Sequence, residues 1–265
     1  MLNYSFMRYA FIVGIMLSLI IPLVGQTAVL KRLSTKGDAL SHTALLGVAI
    51  GLVSGSNPLV IAIITCIIAS LVIEFIRRKF NKYSELSVAI VMSASIALAA
   101  IISNFASGNS FSSYLFGSIL LIRNVELIFT IIIFIVTIVF YIGFYHQIMY
   151  ITYNETQARL DGVKVNLINL IETILTAIII AIASKIIGAL MVSALMVIPY
   201  AASMQLTKSY KRSMIISCII SLLSVVLGLI ISYYADFQPG GTIVAIAVIS
   251  LIITMILNHI FKFTS

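Results

Sequence analysis

Residues 6–30 read FMRYAFIVGIMLSLIIPLVGQTAVL, an apolar run in which Arg8 is the only charged residue. Roughly twenty apolar residues in a helix are enough to cross the hydrocarbon core of a bilayer. The run is longer than the apolar core of a signal peptide, and Lys31 and Arg32 follow it where a small-residue cleavage site would stand. We therefore expect a retained transmembrane helix.

The composition extends this expectation to the rest of the chain. Of the 265 residues, 62% are hydrophobic and 9% are charged, and the mean hydropathy is +1.20. A soluble domain has about a quarter charged residues, so this chain could not cover its surface with polar groups in water. The composition excludes a soluble domain and an enzyme of the usual aqueous kind.

Apolar runs of similar length recur along the sequence, and nine transmembrane segments are predicted from them. The second and the sixth are short enough to be half-crossings, which makes eight crossings the alternative. The expected fold is an all-α, polytopic transmembrane helix bundle that forms a single domain over residues 1–265. The predicted segments are residues 6–30, 39–56, 58–76, 86–103, 124–145, 166–183, 186–206, 213–234 and 241–261.

The net charge of +8 is concentrated in short clusters of Lys and Arg that follow the first, third, fifth and seventh segments. Cytoplasmic loops of membrane proteins carry such an excess of basic residues. With Lys185 as the one exception, the alternation places the N-terminus outside and the C-terminus in the cytoplasm, in a plasma or inner membrane. The basic residues thus indicate a membrane-lipid surface and no nucleic-acid partner. The clusters are Lys31/Arg32/Lys36, Arg77/Arg78/Lys79/Lys82, Arg159/Lys164 and Lys208/Lys211/Arg212.

Two segments are not simple membrane crossings. Residues 104–123 are too polar to span a bilayer and too apolar for a free loop, so a short external or re-entrant helix is expected. Residues 147–165 form the longest cytoplasmic stretch and contain a predicted short helix. Asn154 can cap it, Glu155 supplies an acidic first turn, and Gly162 ends it. This helix is either a docking element or only a long connection.

The strongest candidate for chemistry is a pair of residues at the start of the second segment. Asp38 and His42 are four residues apart, which places the carboxylate and the imidazole on one helical face. Ionisable groups inside hydrocarbon cost a few kcal/mol each, so they usually have a function. Together the two side chains suit a divalent transition metal, and a weak two-ligand site lets an ion leave again. The alternative is a capping Asp and a His hydrogen-bonded to its neighbour.

Other ionisable residues have weaker claims to a role in transport. Glu172 lies inside the sixth segment and should face a partner or a pore. Glu74 is expected to pair with Arg77 or Arg78 on its own helix. Asp236 precedes a Pro-Gly-Gly turn, where it either attracts cations at the mouth of a route or only forms the turn.

Some signatures are missing from the sequence. It has no Gly-x-x-x-x-Gly-Lys-[Ser/Thr] loop for ATP phosphates, and no motif of an intramembrane protease or lipase. We therefore expect no enzyme activity in this chain, so energy for active transport must come from a partner or an ion gradient. Cys66 and Cys218 lie within apolar runs and are interpreted as small hydrophobic residues.

Four stretches make the sequence recognisable, and together they extend over nearly the whole chain. Residues 31–51 read KRLSTKGDALSHTALLGVAIG, residues 115–120 read LFGSIL, and residues 188–199 read GALMVSALMVIP. Ala158 and Gly162 match an Ala-x-x-x-Gly pattern. In this order the stretches resemble the permease subunits of bacterial zinc/manganese-uptake ABC transporters, and the Gly-Asp-x-x-x-His segment is the most specific of them.

The resemblance implies a homodimeric permease with a cytoplasmic ATP-binding subunit on each protomer and an extracytoplasmic metal-binding protein outside. The His/carboxylate pair accepts Zn, Mn or Fe as the transported ion, and zinc is favoured because the chain is short for the family and compact. No permanently bound cofactor is expected. Asp38 and His42 would line the metal route, and Asp236 falls where the family often has an Asp before a Pro/Gly turn. The residues implied to sit in the ATPase groove are Glu155, Ala158, Arg159, Asp161 and Gly162, within a coupling segment at about 150–165.

Two departures from the family pattern affect local structure. Tyr153 and Asn154 stand where Phe-Asp is common before the coupling helix, which removes the charge of the cap but keeps a capping side chain. Tyr200 follows Pro199 in place of a small residue, so packing there is expected to differ.

The leading interpretation is alternating access driven by the ATP-binding subunits. The rivals are a secondary metal/proton transporter, and a membrane scaffold in which Asp38 and His42 are structural. The charge count places these two residues toward the cytoplasm and Asp236 outside. Either the route has two sites, or the second segment lies deeper in the membrane.

Overall fold

The computed structural model describes residues 5–80, 83–105 and 124–261, and within these ranges the chain is helical with no β-strand. This confirms the predicted all-α, polytopic membrane fold. The helices are α1 Ser5–Leu30, α2 Lys36–Val53, α3 Pro58–Lys79, α4 Ser84–Ser103, α5 Asn124–Gly143, α6 Tyr145–Tyr153, α7 Glu155–Leu160, α8 Val165–Ile186, α9 Ala189–Leu206, α10 Tyr210–Ala235 and α11 Pro239–Phe261.

All nine predicted segments coincide with helices. In the described part of the chain, seven helices are long and apolar enough to cross a membrane, namely α1, α3, α4, α5, α8, α10 and α11. The sixth predicted segment is longer than expected, since α8 has 22 residues. The helix continues through Lys185 to Ile186. The orientation in the membrane remains a prediction, and the helix expected at 104–123 falls outside the described residues from 106 onward.

The chain divides into two compact units. The first comprises residues 1–26, 119–138 and 194–265, and the second comprises residues 27–118 and 139–193. The expectation of one domain over residues 1–265 stays a prediction.

In the second unit, α2 is the central helix and packs against α3, α4 and α8. Small side chains allow this close packing, and Ala44, Ala62, Cys66, Ala177 and Ala181 form a buried cluster. Two glycines one turn apart bring the backbones of α2 and α3 together, as small residues commonly do between membrane helices. A β-carbon at Gly47 would lie 2.2 Å from Thr65 Oγ1, and one at Gly51 would lie 2.7 Å from Pro58 Cα.

Hydroxyl and thiol groups supply polar contacts between these apolar helices. Thr43 and Ser95 share a hydrogen bond of 2.8 Å between α2 and α4. The Cys66 thiol donates to the Leu40 carbonyl at 3.3 Å, which agrees with its predicted structural role. Short side chains bonded in this way keep helices in register without placing a charge in hydrocarbon.

In the first unit, α10 packs against α11. The Thr242 hydroxyl donates to the Gly228 carbonyl at 3.0 Å, and a β-carbon at Gly228 would lie 2.8 Å from Ile243 Cα. Asp236 separates the two helices and has a left-handed backbone conformation with φ of 52°. Asp is among the few residues that tolerate this conformation, so the turn-forming role proposed for Asp236 matches its position.

Candidate functional site

Asp38 and His42 lie on successive turns at the start of α2, and both side chains are half-buried. Their neighbours Ala39, Leu40 and Ser41 are buried in the helix packing. Thr35 precedes the helix without making a side-chain cap. Within residues 5–80, 83–105 and 124–261, neither Asp38 nor His42 forms a hydrogen bond or an ion pair. Within the described part of the chain, no protein group therefore occupies the carboxylate or the imidazole.

The pair is a minimal ligand set. In the described part of the chain, no cluster of three or more His, Cys, Asp or Glu side chains could hold a metal ion. A resident metal centre normally has at least three protein ligands. Two ligands from one chain can bind an ion in passing, but they do not form a structural metal centre.

A group of largely buried charges lies between the end of α1, the start of α2 and the first turns of α8. The Lys31 ammonium donates to Glu172 Oε2 at 2.5 Å and to Asn169 Oδ1 at 3.1 Å. The expectation that Glu172 faces a partner is thus confirmed. Sequence reasoning assigned Lys31 only to a basic loop, because its partner is far away in the chain.

Lys36 lies beside this group and is buried at the first position of α2. Burial lowers the pKa of Lys36 to about 8, although the carboxylates of Glu172 and Glu74 favour its charged form. The opposing carboxylates keep an ammonium group in an otherwise unfavourable environment. The cost of burying this ammonium is therefore only partly offset by the two carboxylates.

The short helix predicted in the 147–165 stretch is present as α7. The Asn154 side chain accepts a hydrogen bond of 3.0 Å from the Gln157 amide, which is the predicted cap. Ala158 is fully buried, so α7 packs on the rest of the unit through this residue. Gly162 ends the segment with φ of 81°, a conformation that side-chain-bearing residues rarely adopt.

Further polar contacts lie within α7 and beside it. The Tyr150 hydroxyl donates to the Asp161 carboxylate, which raises the pKa of Tyr150. Glu155 and Arg159 pair across one helical turn at 3.2 Å. An open cavity of about 420 Å³ lies beside these residues. It is lined by Phe144, Gln147, Asp161, Gly162, Val163, Lys164, Leu167 and Ile168.

Glu74 pairs with both basic residues that the sequence offered it. The Arg77 guanidinium binds Glu74 through two parallel bonds of 2.8 and 2.9 Å, and Arg78 Nε approaches the same carboxylate at 3.3 Å. Arg77 also reaches Glu155 on α7 at 3.4 Å. This last contact was not predicted, because residues 77 and 155 are far apart in the sequence.

Asp236 belongs to the first unit, whereas Asp38 and His42 belong to the second. It is exposed at the end of α10. Its participation in a metal route stays a prediction.

Comparison with known proteins places these features in a family. The profile of the ABC 3 transport family matches residues 3–258. A probable metal transport system membrane protein of Treponema pallidum is 34% identical, with 98% of each chain covered. The manganese transport system membrane protein MntC of Listeria monocytogenes is 28% identical, covering 94% of this chain and 89% of its own.

A relative whose name includes zinc and a solved structure also match nearly the whole chain. The high-affinity zinc uptake system membrane protein ZnuB of Buchnera aphidicola is 29% identical, covering 91% of this chain and 94% of its own. PsaBC from Streptococcus pneumoniae in complex with Fab has the same fold, with a TM-score of 0.83 at 24% identity. The match covers 96% of this chain and 92% of that chain. The chain belongs to the ABC 3 transport family and is a multi-pass membrane permease of that family.

Proposed function

We propose that this permease is the membrane subunit of an ATP-driven importer of divalent transition metals, and that Asp38 and His42 are its transient ligands. The observation that carries the proposal is the state of this pair on α2. The carboxylate and the imidazole lie one turn apart, half-buried, and without a hydrogen bond or an ion pair in the described part of the chain. Ionisable groups left without a protein partner at membrane depth are costly unless a ligand uses them.

Zinc is the first ion to test. One nitrogen and one oxygen ligand suit zinc, manganese and iron, but affinity at such a site rises from manganese through iron to zinc. Relatives of this chain carry names with either manganese or zinc. Release requires weak binding, which two ligands from one chain provide.

The energy for transport is proposed to come from a cytoplasmic ATP-binding subunit that docks on α7. Support comes from the short length of this helix, which has six residues, and from its cap at Asn154. The open cavity beside Asp161 and Gly162 also supports docking there. An extracytoplasmic metal-binding protein would deliver the ion. A second copy of this chain would supply a further Asp38 and His42.

The test is metal uptake by the assembled importer in proteoliposomes. His42→Ala should abolish ATP-dependent uptake of Zn²⁺, because one of the two ligands is lost. His259→Ala is the matched control, since His259 is exposed near the end of α11 and should leave uptake unchanged. Uptake is measured with radioactive zinc, and manganese is run in parallel. Normal zinc and manganese uptake by His42→Ala would remove the ligand role.

A further inference from the structure

We propose that Arg77 is a positioning residue that links the ATPase-docking helix α7 to the metal-binding helix α2 through α3. This inference rests on the proposed function, because it concerns how motion of α7 reaches Asp38 and His42. It assigns to one guanidinium group the mechanical connection between the site of ATP-driven motion and the metal route.

Arg77 at the end of α3 contacts Glu155 at the start of α7. Arg77 Nη1 and Nη2 each lie 3.4 Å from Glu155 Oε2, on the first residue of α7. The same guanidinium makes a two-pronged pair with Glu74 at 2.8 and 2.9 Å, which fixes its plane. Bidentate pairs of this kind define geometry better than single contacts do. Arg77 therefore holds Glu155 at a set position relative to the end of α3.

The Arg77–Glu74 pair is largely buried. Arg77 and Glu74 side chains are 14% and 13% exposed, whereas the Arg78 side chain is 49% exposed. Exposed ion pairs contribute little and are screened by salt, but partly buried ones are screened much less. Of the two arginines that bind Glu74, Arg77 is thus the one suited to transmit a displacement.

The backbones of α3 and α2 are in close contact. Gly47 and Gly51 bring the α2 backbone against Ala62 and Pro58, with no room for even one added carbon atom. Backbones in such close contact cannot shift far independently of each other. A displacement of α3 must then move α2, which carries Asp38 and His42 at its other end.

The experiment uses the complete importer, with its ATP-binding subunit and metal-binding protein, in proteoliposomes. Zinc uptake and ATP hydrolysis are measured in the same sample, and their ratio is the readout. Arg77→Gln should lower zinc taken up per ATP hydrolysed by about tenfold, within the usual range of coupling between sites. Arg78→Gln is the matched control and should keep the wild-type ratio.

A double-mutant cycle separates a linkage from two independent defects. Glu155→Gln should lower the ratio as Arg77→Gln does, and the double variant should be no worse than either single variant. Effects that multiply would overturn the proposal, as would a wild-type ratio in Arg77→Gln. Should Arg77→Gln fail to insert, Glu155→Gln still tests the link, since it leaves the Arg77–Glu74 pair intact. A wild-type complex that takes up no zinc with ATP would instead contradict the proposed function itself.

Discussion

Two groups of ionisable residues in the second unit are withdrawn from water, but only one group has oppositely charged partners. Lys31, Glu172, Glu74 and Arg77 each have an oppositely charged partner within 2.5–2.9 Å. Asp38 and His42, on α2 in the same unit, have none in the described part of the chain. Buried charges are retained when they are paired, so the unpaired ones need another reason to be present.

Paired and unpaired charges in a membrane protein have different effects on its stability. A paired charge stabilises the fold as long as its partner remains, and removing one partner leaves a buried charge unsatisfied. An unpaired, half-buried charge does not stabilise the fold, so its removal should not cost stability. Effects on stability and on transport should therefore separate between the two groups of residues.

The largest expected effect on stability is at the Lys31–Glu172 pair. Glu172→Leu should lower the free energy of unfolding by about 3–5 kcal/mol, because Lys31 would remain buried without its carboxylate. The measurement is unfolding of the purified permease in mixed micelles by titration with a denaturing detergent. Asp38→Asn serves as the comparison and should not lower this free energy, because it removes a charge that has no partner in the described part of the chain.

The double variant Lys31→Met/Glu172→Leu sharpens the same test. Replacing both charges with apolar side chains should recover most of the lost stability, since neither Lys31 nor Glu172 is then left as a buried charge without its partner. An equal loss of stability in Asp38→Asn and Glu172→Leu would break the distinction between the two groups.

A smaller effect is expected where α2 is held by packing. Gly47→Ala should cost about 1–3 kcal/mol, because the added carbon overlaps Thr65 Oγ1 and the adjacent backbone of α3. Gly143→Ala is the matched control, since a β-carbon there meets no atom within 4 Å. Thermal unfolding of the two variants checks this, and equal stability of both would show that α2 and α3 can separate without cost.

The smallest effect is expected at the cap of α7. Asn154→Ala should destabilise this helix by about 1 kcal/mol, because the Gln157 amide loses its acceptor. Faster hydrogen exchange of the α7 amides is the measurement. Asn154→Asp keeps an acceptor oxygen and should exchange as the wild type does. Unchanged exchange in Asn154→Ala would mean that packing of Ala158 alone holds the helix.

Much of the fold could be predicted from the sequence, because a helix that crosses hydrocarbon needs about twenty consecutive apolar residues. Every predicted segment is a helix, and the cap at Asn154 and the stop at Gly162 are where their local chemistry places them. Pairs within one helix, such as Glu74 with Arg77, were also predictable, since helical spacing brings them together.

Contacts between distant parts of the chain could not be predicted in the same way. The sequence alone determined an all-helical membrane protein, a carboxylate and an imidazole on one face of a helix, and a short capped helix within residues 147–165. Only the tertiary structure decided that Lys31 binds Glu172, that Arg77 reaches Glu155, and that no described side chain pairs with Asp38 or His42. The reason is that helical periodicity fixes neighbours up to about four residues away, whereas partners across helices depend on how the helices pack.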